Sequence, residues 1–300
     1  MSDTTDIFTI YKGKGLYQSK QKTRTNKYFV FDLDETIGSF SEMYILFKYL
    51  QTVQEESNII LYDSLEELLF SILDEFPEFF RYGTSVLFKY LNSKKKLYSN
   101  ICIYIYTNNA CIPISWTSII VKYIEHKWNL QLFDNIIRCF KIKDHIVEYN
   151  RTTNDKTFND LMNCVKLPNN IELCFIDNTL FPKMQHRHVY YLRPKSYYHY
   201  VNRNDILKRF FNSEKGVDIA KRLDLTSSEV IDKAKSWYIE NNYNFDVFSK
   251  QREEMEIDIE VSKKMLYHCR LFFYITTKTI RTRRKKQRII LNKTKKNYCK

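Results

Sequence analysis

Three hundred residues with 44% apolar side chains suffice for one large domain or two modest ones, and they exclude a wholly disordered or collagen-like chain. With only five glycines and neither a dinucleotide-binding glycine fingerprint nor a P-loop, a Rossmann cofactor or P-loop nucleotide site has no basis. The net charge of +13 is uneven: Val261 to Lys300 carries nine Lys and five Arg with no acidic residue, so the remainder is close to neutral and attraction to polyanions concentrates at the C-terminal end.

In chain order, residues 1–26 read as a polar, basic leader that packs weakly, without the sustained apolar core of a signal sequence. Tyr28–Leu33 (YFVFDL) is a short bulky apolar run ending in carboxylates, which predicts a buried strand with an exposed C-terminal end. Residues 39–80 read as a helical insertion, with helix-like apolar spacing over Ser41–Leu50 and Ser64–Leu73; a further helix starts at Thr84. Ile101–Tyr106 (ICIYIY) repeats the strand pattern and ends in TNN. The charge-free stretch to Val121 is broken by Asn108, Asn109 and Pro113, which excludes a membrane span. Ile114–Trp128 reads as helix, Phe133–Phe140 as containing a short strand, and Phe158–Val165 as helix. Ile171–Ile176 (IELCFI) is the third buried run, ending in DN, and Val189–Leu192 a further strand. Helices follow over Asp205–Phe211 and Ser228–Tyr238. Residues 251–300 read as an acidic-to-basic extension, in which Leu271–Tyr274 is a candidate strand. Three separated apolar runs ending in polar groups predict an α/β fold whose parallel sheet carries its site at the C-terminal strand ends.

The chemistry gathers at those ends. Asp32 and Asp34 share a strand-to-loop transition with Leu33 turned inward; two neighbouring carboxylates call for a compensating cation, and all-oxygen donors suit a hard ion such as Mg2+. Asp177 and Asn178 add oxygen ligands. Thr107-Asn108-Asn109 offers neutral hydrogen-bonding groups, and Lys156 offers charge for an anionic ligand, in competition with Lys141, Lys143 and Lys166.

With FVFDLDETIGSF, ICIYIYTNN, DKTFNDLMNCVKL and IELCFIDNTLFP in this order between about Tyr28 and Pro194, the chain resembles the haloacid-dehalogenase superfamily. Within it, the chain resembles the FCP/SCP-like, or NLI-interacting-factor-like, protein phosphatases. The resemblance implies a three-layer sandwich around a mostly parallel sheet, with residues 27–250 as the phosphatase-like domain. It implies Asp32 as nucleophile, Asp34 as general acid and base, Thr107 as the phosphate-binding hydroxyl and Lys156 as the conserved lysine. Mg2+ would be held by Asp32, Asp34, Asp177 and Asn178. The implied activity is Mg2+-dependent hydrolysis of phosphoserine or phosphothreonine in proteins through an aspartyl-phosphate. The segment from Asn109 to Lys156 is short for the aromatic insertion that grips an RNA-polymerase tail, and Trp116 and Trp128 read as core residues.

Two other readings stand beside it. The basic tail, through IRTRRKKQR and NKTKKNYCK, suits a phosphatase acting on nucleic-acid ends or small molecules, or recruitment of nucleic acid or an acidic protein. The inserted helices and abundant aromatics suit an inactive phosphatase-like interaction module. Seven Cys without a CxxC pair point to a reducing compartment, cytoplasmic or nuclear.

Overall fold

The computed structural model describes residues 7–20, 26–110, 112–113, 115–167, 171–245 and 252–277. Strands β1 (Phe8–Lys12), β2 (Leu16–Gln18) and β3 (Lys27–Phe31) lead into helices α1 (Ser41–Ser57), α2 (Leu65–Glu75) and α3 (Thr84–Leu97). Strand β4 (Ile101–Tyr106), helix α4 (Trp116–Trp128) and strand β5 (Asn135–Ile137) follow, then a hairpin of β6 (Lys141–Ile142) and β7 (His145–Ile146). Next come α5 (Phe158–Val165), β8 (Glu172–Ile176) and β9 (Val189–Pro194). Helices α6 (Arg203–Asn212), α7 (Glu214–Arg222), α8 (Ser227–Glu240) and α9 (Arg252–Phe272) precede β10 (Ile275–Thr277).

The main sheet has the order β1-β9-β8-β3-β4-β5, with β1 antiparallel and the other pairings parallel. Because strand side chains alternate, Phe29, Phe31, Ile103, Ile105 and Cys174 join one buried cluster while Tyr28, Val30, Tyr104, Tyr106 and Phe175 join another. The first cluster takes in residues of α1, α2, α3, α4, α6, α8 and α9; the second takes in Leu161 of α5 and Met184. The protein is therefore α/β with helices on both faces of a mostly parallel sheet, compatible with a three-layer sandwich. Among the described residues no helix is long and apolar enough to cross a membrane.

From β3 the chain moves outward to β4 and β5, then returns past β3 to β8 and β9. The sheet thus has a topological switch point beside β3, the place at which open α/β sheets carry their sites. Register aligns those ends: Phe31 lies opposite both Ile105 and Ile176, so Asp32 and Asp177 are the next residues on adjacent strands.

Several expectations change. Residues 8–18 do not form a weakly packed leader, because β1 closes the sheet edge against β9 and β2 pairs with β10. The inserted helices α1 and α2 bury Met43, Leu46, Leu69 and Ile72 in the same cluster as the sheet. The hairpin β6–β7 and helix α7 are additions. Of the expected strand at Leu271–Tyr274, Leu271 and Phe272 end α9 and Phe273 and Tyr274 form the turn into β10; α9 runs through the acidic-to-basic transition and buries Val261, Met265, Cys269 and Phe272. The basic runs beyond Thr277, residues 1–6 and Ile114 lie outside the described residues.

Lys27 and Glu172 open β3 and β8, and their buried side chains pair at 2.6 Å. Lys27 also donates to the carbonyl of Ile275, and Thr276 donates to Glu172, which ties β10 beneath the sheet. Burial pulls the Lys27 ammonium below its usual range despite Glu172 beside it. Removing one partner of such a pair strands the other charge, whereas removing both does not. Lys27→Met should lower the unfolding free energy by about 3–5 kcal/mol, and Lys27→Met/Glu172→Leu should recover much of that loss in urea denaturation.

Candidate active site

Asp32 and Asp177 follow their strands directly: the Asp32 amide donates to the Ile176 carbonyl at 2.9 Å, and the Asp177 amide to the Leu192 carbonyl at 3.1 Å. Between the two carboxylates stands Lys156, from the loop that precedes α5. Its Nζ binds Asp32 Oδ1 and reaches Asp177 Oδ2 at 2.7 Å. All three are buried, whereas the competing Lys141, Lys143 and Lys166 are exposed. Thr157, the next residue, caps α5 by accepting from the Asp160 amide at 3.0 Å, which fixes where the loop ends.

Asp34 sits at the mouth of the site and accepts from Asn109 Nδ2 at 2.9 Å. The Asn109 amide in turn donates to Thr107 Oγ1 at 2.9 Å, so Asn109 links the loop after β4 to the loop after β3. Thr107 itself is fully buried. Thr36 donates to Asp32 Oδ2 at 3.1 Å. The Asn178 carboxamide satisfies its surroundings with the nitrogen turned inward, donating to Asp32 Oδ2 at 3.3 Å and to the Asp34 carbonyl at 3.1 Å, while its oxygen accepts from Ser196 at 3.0 Å. Asp32, Asp34, Lys156, Asp177 and Asn178 thus meet in one cluster, and Thr107 joins it through Asn109.

The cluster holds three carboxylates against one ammonium. Burial and the neighbouring Asp32 push Asp34 up to about 7. Asp177 also rises to about 7, where burial and Asp32 outweigh the lowering pull of Lys156. Burial pulls Lys156 down, but Asp177 and Asp32 together hold it above the usual lysine range. A carboxyl that carries a proton near neutral pH can donate it to a leaving group and later take it back. Among the described residues no three His, Cys, Asp or Glu side chains form a ready metal cage. The donors nonetheless fit a hard divalent cation, which takes one or two carboxylates plus water: Asp32 and Asp177 share the single ammonium of Lys156, and the Asp34 carbonyl faces the same side chain of Asn178. Asn178 itself would have to turn its amide over to offer oxygen.

Two buried arginines, absent from the sequence-based set, hold the loops in place. Arg81 donates from Nε to the Thr36 carbonyl at 2.7 Å, and from Nη2 to the carbonyls of Glu35 and Lys195 at 2.6 and 2.7 Å. Arg151 donates to the carbonyls of Thr107 and Arg138 and to Asn108 Oδ1, at 3.1, 2.7 and 2.7 Å. Arg151 also lies in the segment that delivers Lys156, so one guanidinium joins the loops carrying Thr107 and Lys156. Glycine is required at position 38, where a Cβ would come within 2.5 Å of both the Phe40 ring and the Phe79 carbonyl.

Compared with protein families, with curated proteins and with solved structures, the chain matches none.

The carboxyl excess predicts a pH-dependent stability. Asp34 and Asp177 are raised above their unfolded-state values near 4, so their contribution is fully present below about 4 and is lost as pH rises through about 7. Without metal, Asp34→Asn should therefore raise the melting temperature at pH 8 by roughly 3 °C or more, with a smaller gain at pH 5. Mg2+ should stabilise the wild type more at pH 8 than at pH 5, as read by thermal denaturation.

Proposed function

We propose that this protein is a Mg2+-dependent phosphomonoesterase of the haloacid-dehalogenase type, acting on phosphoserine or phosphothreonine in proteins. The observation that carries this reading is the buried Asp32–Lys156–Asp177 arrangement at the C-terminal strand ends, with Asp34 protonated near neutral pH two residues beyond Asp32.

In this reading Asp32 attacks phosphorus and forms an aspartyl-phosphate, while Asp34 gives its proton to the departing alcohol oxygen. Water then attacks the phosphorus of the acyl phosphate, loses a proton to Asp34 and releases Asp32 with inorganic phosphate. Lys156 orients Asp32 and neutralises phosphoryl charge, and Asn109 aims the Asp34 carboxyl while ordering Thr107. When bound by Asp32, Asp177 and the Asp34 carbonyl, Mg2+ would supply Lewis-acid neutralisation of phosphate charge.

Four measurements test the reading. Asp32→Asn should fold and lose phosphoenzyme formation and turnover together. Asp34→Asn should slow turnover by about 10²–10⁴ while still binding phosphate. Chelation of Mg2+ should suppress hydrolysis; unchanged activity in chelator rejects the metal-assisted mechanism. A phosphopeptide should be hydrolysed faster than a terminally phosphorylated oligonucleotide, and the reverse preference overturns the substrate class.

A further inference from the structure

The two ends of the sheet carry opposite chemistry. The carboxylate cluster occupies the C-terminal strand ends; at the other end Lys27 and Thr276 fix β10, so the described chain leaves at Thr277 from beneath the strand starts. Five-residue strands separate these ends by roughly 17 Å at about 3.3 Å per residue. The sequence beyond Thr277 carries seven Lys, four Arg and no acidic residue.

Beside that exit the folded surface is itself basic and aromatic. The Arg270 guanidinium stands over the Tyr90 ring at 5.0 Å, and Lys94 Nζ lies 5.3 Å from the same ring. Tyr98 and Tyr274 are close enough to Tyr90 to raise its hydroxyl's proton affinity, on top of the effect of burial. Lys96 is exposed, as is the Tyr98 ring at 42%. The acidic groups nearby are already taken: Glu172 is bound by Lys27, and Asp134 by Lys95 at 2.7 Å.

We propose that this end of the protein binds single-stranded nucleic acid, with Lys94 and Arg270 on phosphates and the Tyr98 ring available to an unpaired base. Cations interleaved with rings are what a single strand uses, because phosphates seek charge while every base presents a stacking face. An acidic protein would draw on the cations alone, and a duplex keeps its base faces covered. The surface lies at the far end from Asp32, so it anchors the protein rather than presenting an oligonucleotide end for reaction. The proposal does not depend on the phosphatase reading, because binding here needs no chemistry at Asp32.

The test is fluorescence anisotropy of the full chain with a labelled oligothymidylate of about twenty nucleotides, long enough for several phosphate contacts, over a salt series. Wild type should weaken linearly in log–log salt plots. Lys94→Gln/Arg270→Gln combined should weaken binding several-fold and reduce the slope by about 1.4, since each single-strand phosphate contact contributes about 0.7. Tyr98→Ala should weaken binding about fivefold or more with the slope unchanged. Replacing the basic residues from Arg281 onward with Gln should weaken binding further. The proposal is overturned if the double variant and Tyr98→Ala bind as wild type, if poly-glutamate competes equally charge for charge, or if a duplex of the same length binds as tightly.

Discussion

The site depends on one ammonium placed among three carboxylates in a largely dry setting. Lys156 touches Asp32 and Asp177 but not Asp34, so one ammonium is shared by two carboxylates, and both Asp34 and Asp177 are pushed up to about 7 by burial and by Asp32. Burying charge is costly unless it is paired and hydrogen-bonded, and here the pairing is incomplete by design of the geometry. In the proposed function this residual negative charge is what a divalent cation would neutralise. It also separates the roles of two residues only two positions apart: Asp32 is held by Lys156 and Thr36, while Asp34 is held by the neutral Asn109.

That charge balance is only as good as the loops that present it, and the loops are held by arginines reaching in from outside. Backbone carbonyls at the ends of parallel strands and in tight loops have lone pairs to satisfy, and a guanidinium offers several donors in one rigid plane. Arg81 uses this to lock the loops after β3 and β9 together; Arg151 does the same for the loops after β4 and β5 and the approach to Lys156. Burial draws Arg81 down to about 10, still far above neutrality, so the staple keeps its charge under ordinary conditions. Lysine at either position would supply charge without the planar fork.

The central strands were legible because YFVF, ICIYIY and LCFI are bulky, uncharged and abruptly terminated, which is how a strand buried on both faces must look. The polar groups directly after them were legible for the same reason, since register then carries Asp32 and Asp177 to one edge. Strand β1 was missed because FTIYK is short and sits among polar residues, and its pairing partner β9 lies far away in sequence. Helix α9 was hidden by its charge: the acidic first half and basic second half suggested an extension, although Val261, Met265, Cys269 and Phe272 recur at helical spacing on one face. Arg81 and Arg151 left no signal at all, because a buried arginine and a solvated one look identical until the carbonyls around them are known.

The polarity of a parallel sheet also explains how acidic and basic functions share one small molecule. The C-terminal strand ends gather the carboxylates and loop carbonyls, while the N-terminal ends of β3 and β8 carry Lys27 and Glu172, which neutralise each other and leave the surrounding surface cations to set the field. At physiological ionic strength the screening length is about 8 Å, roughly half the length of the strands between the two ends. Charges on the folded surface at the strand starts therefore act only weakly on the carboxyl cluster, and Lys156 does the local neutralisation from within. A lysine buried between two carboxylates and the surface cations Lys94 and Arg270 are not redundant sources of charge: the first tunes protons over a few ångströms, and the second act on what approaches the strand starts.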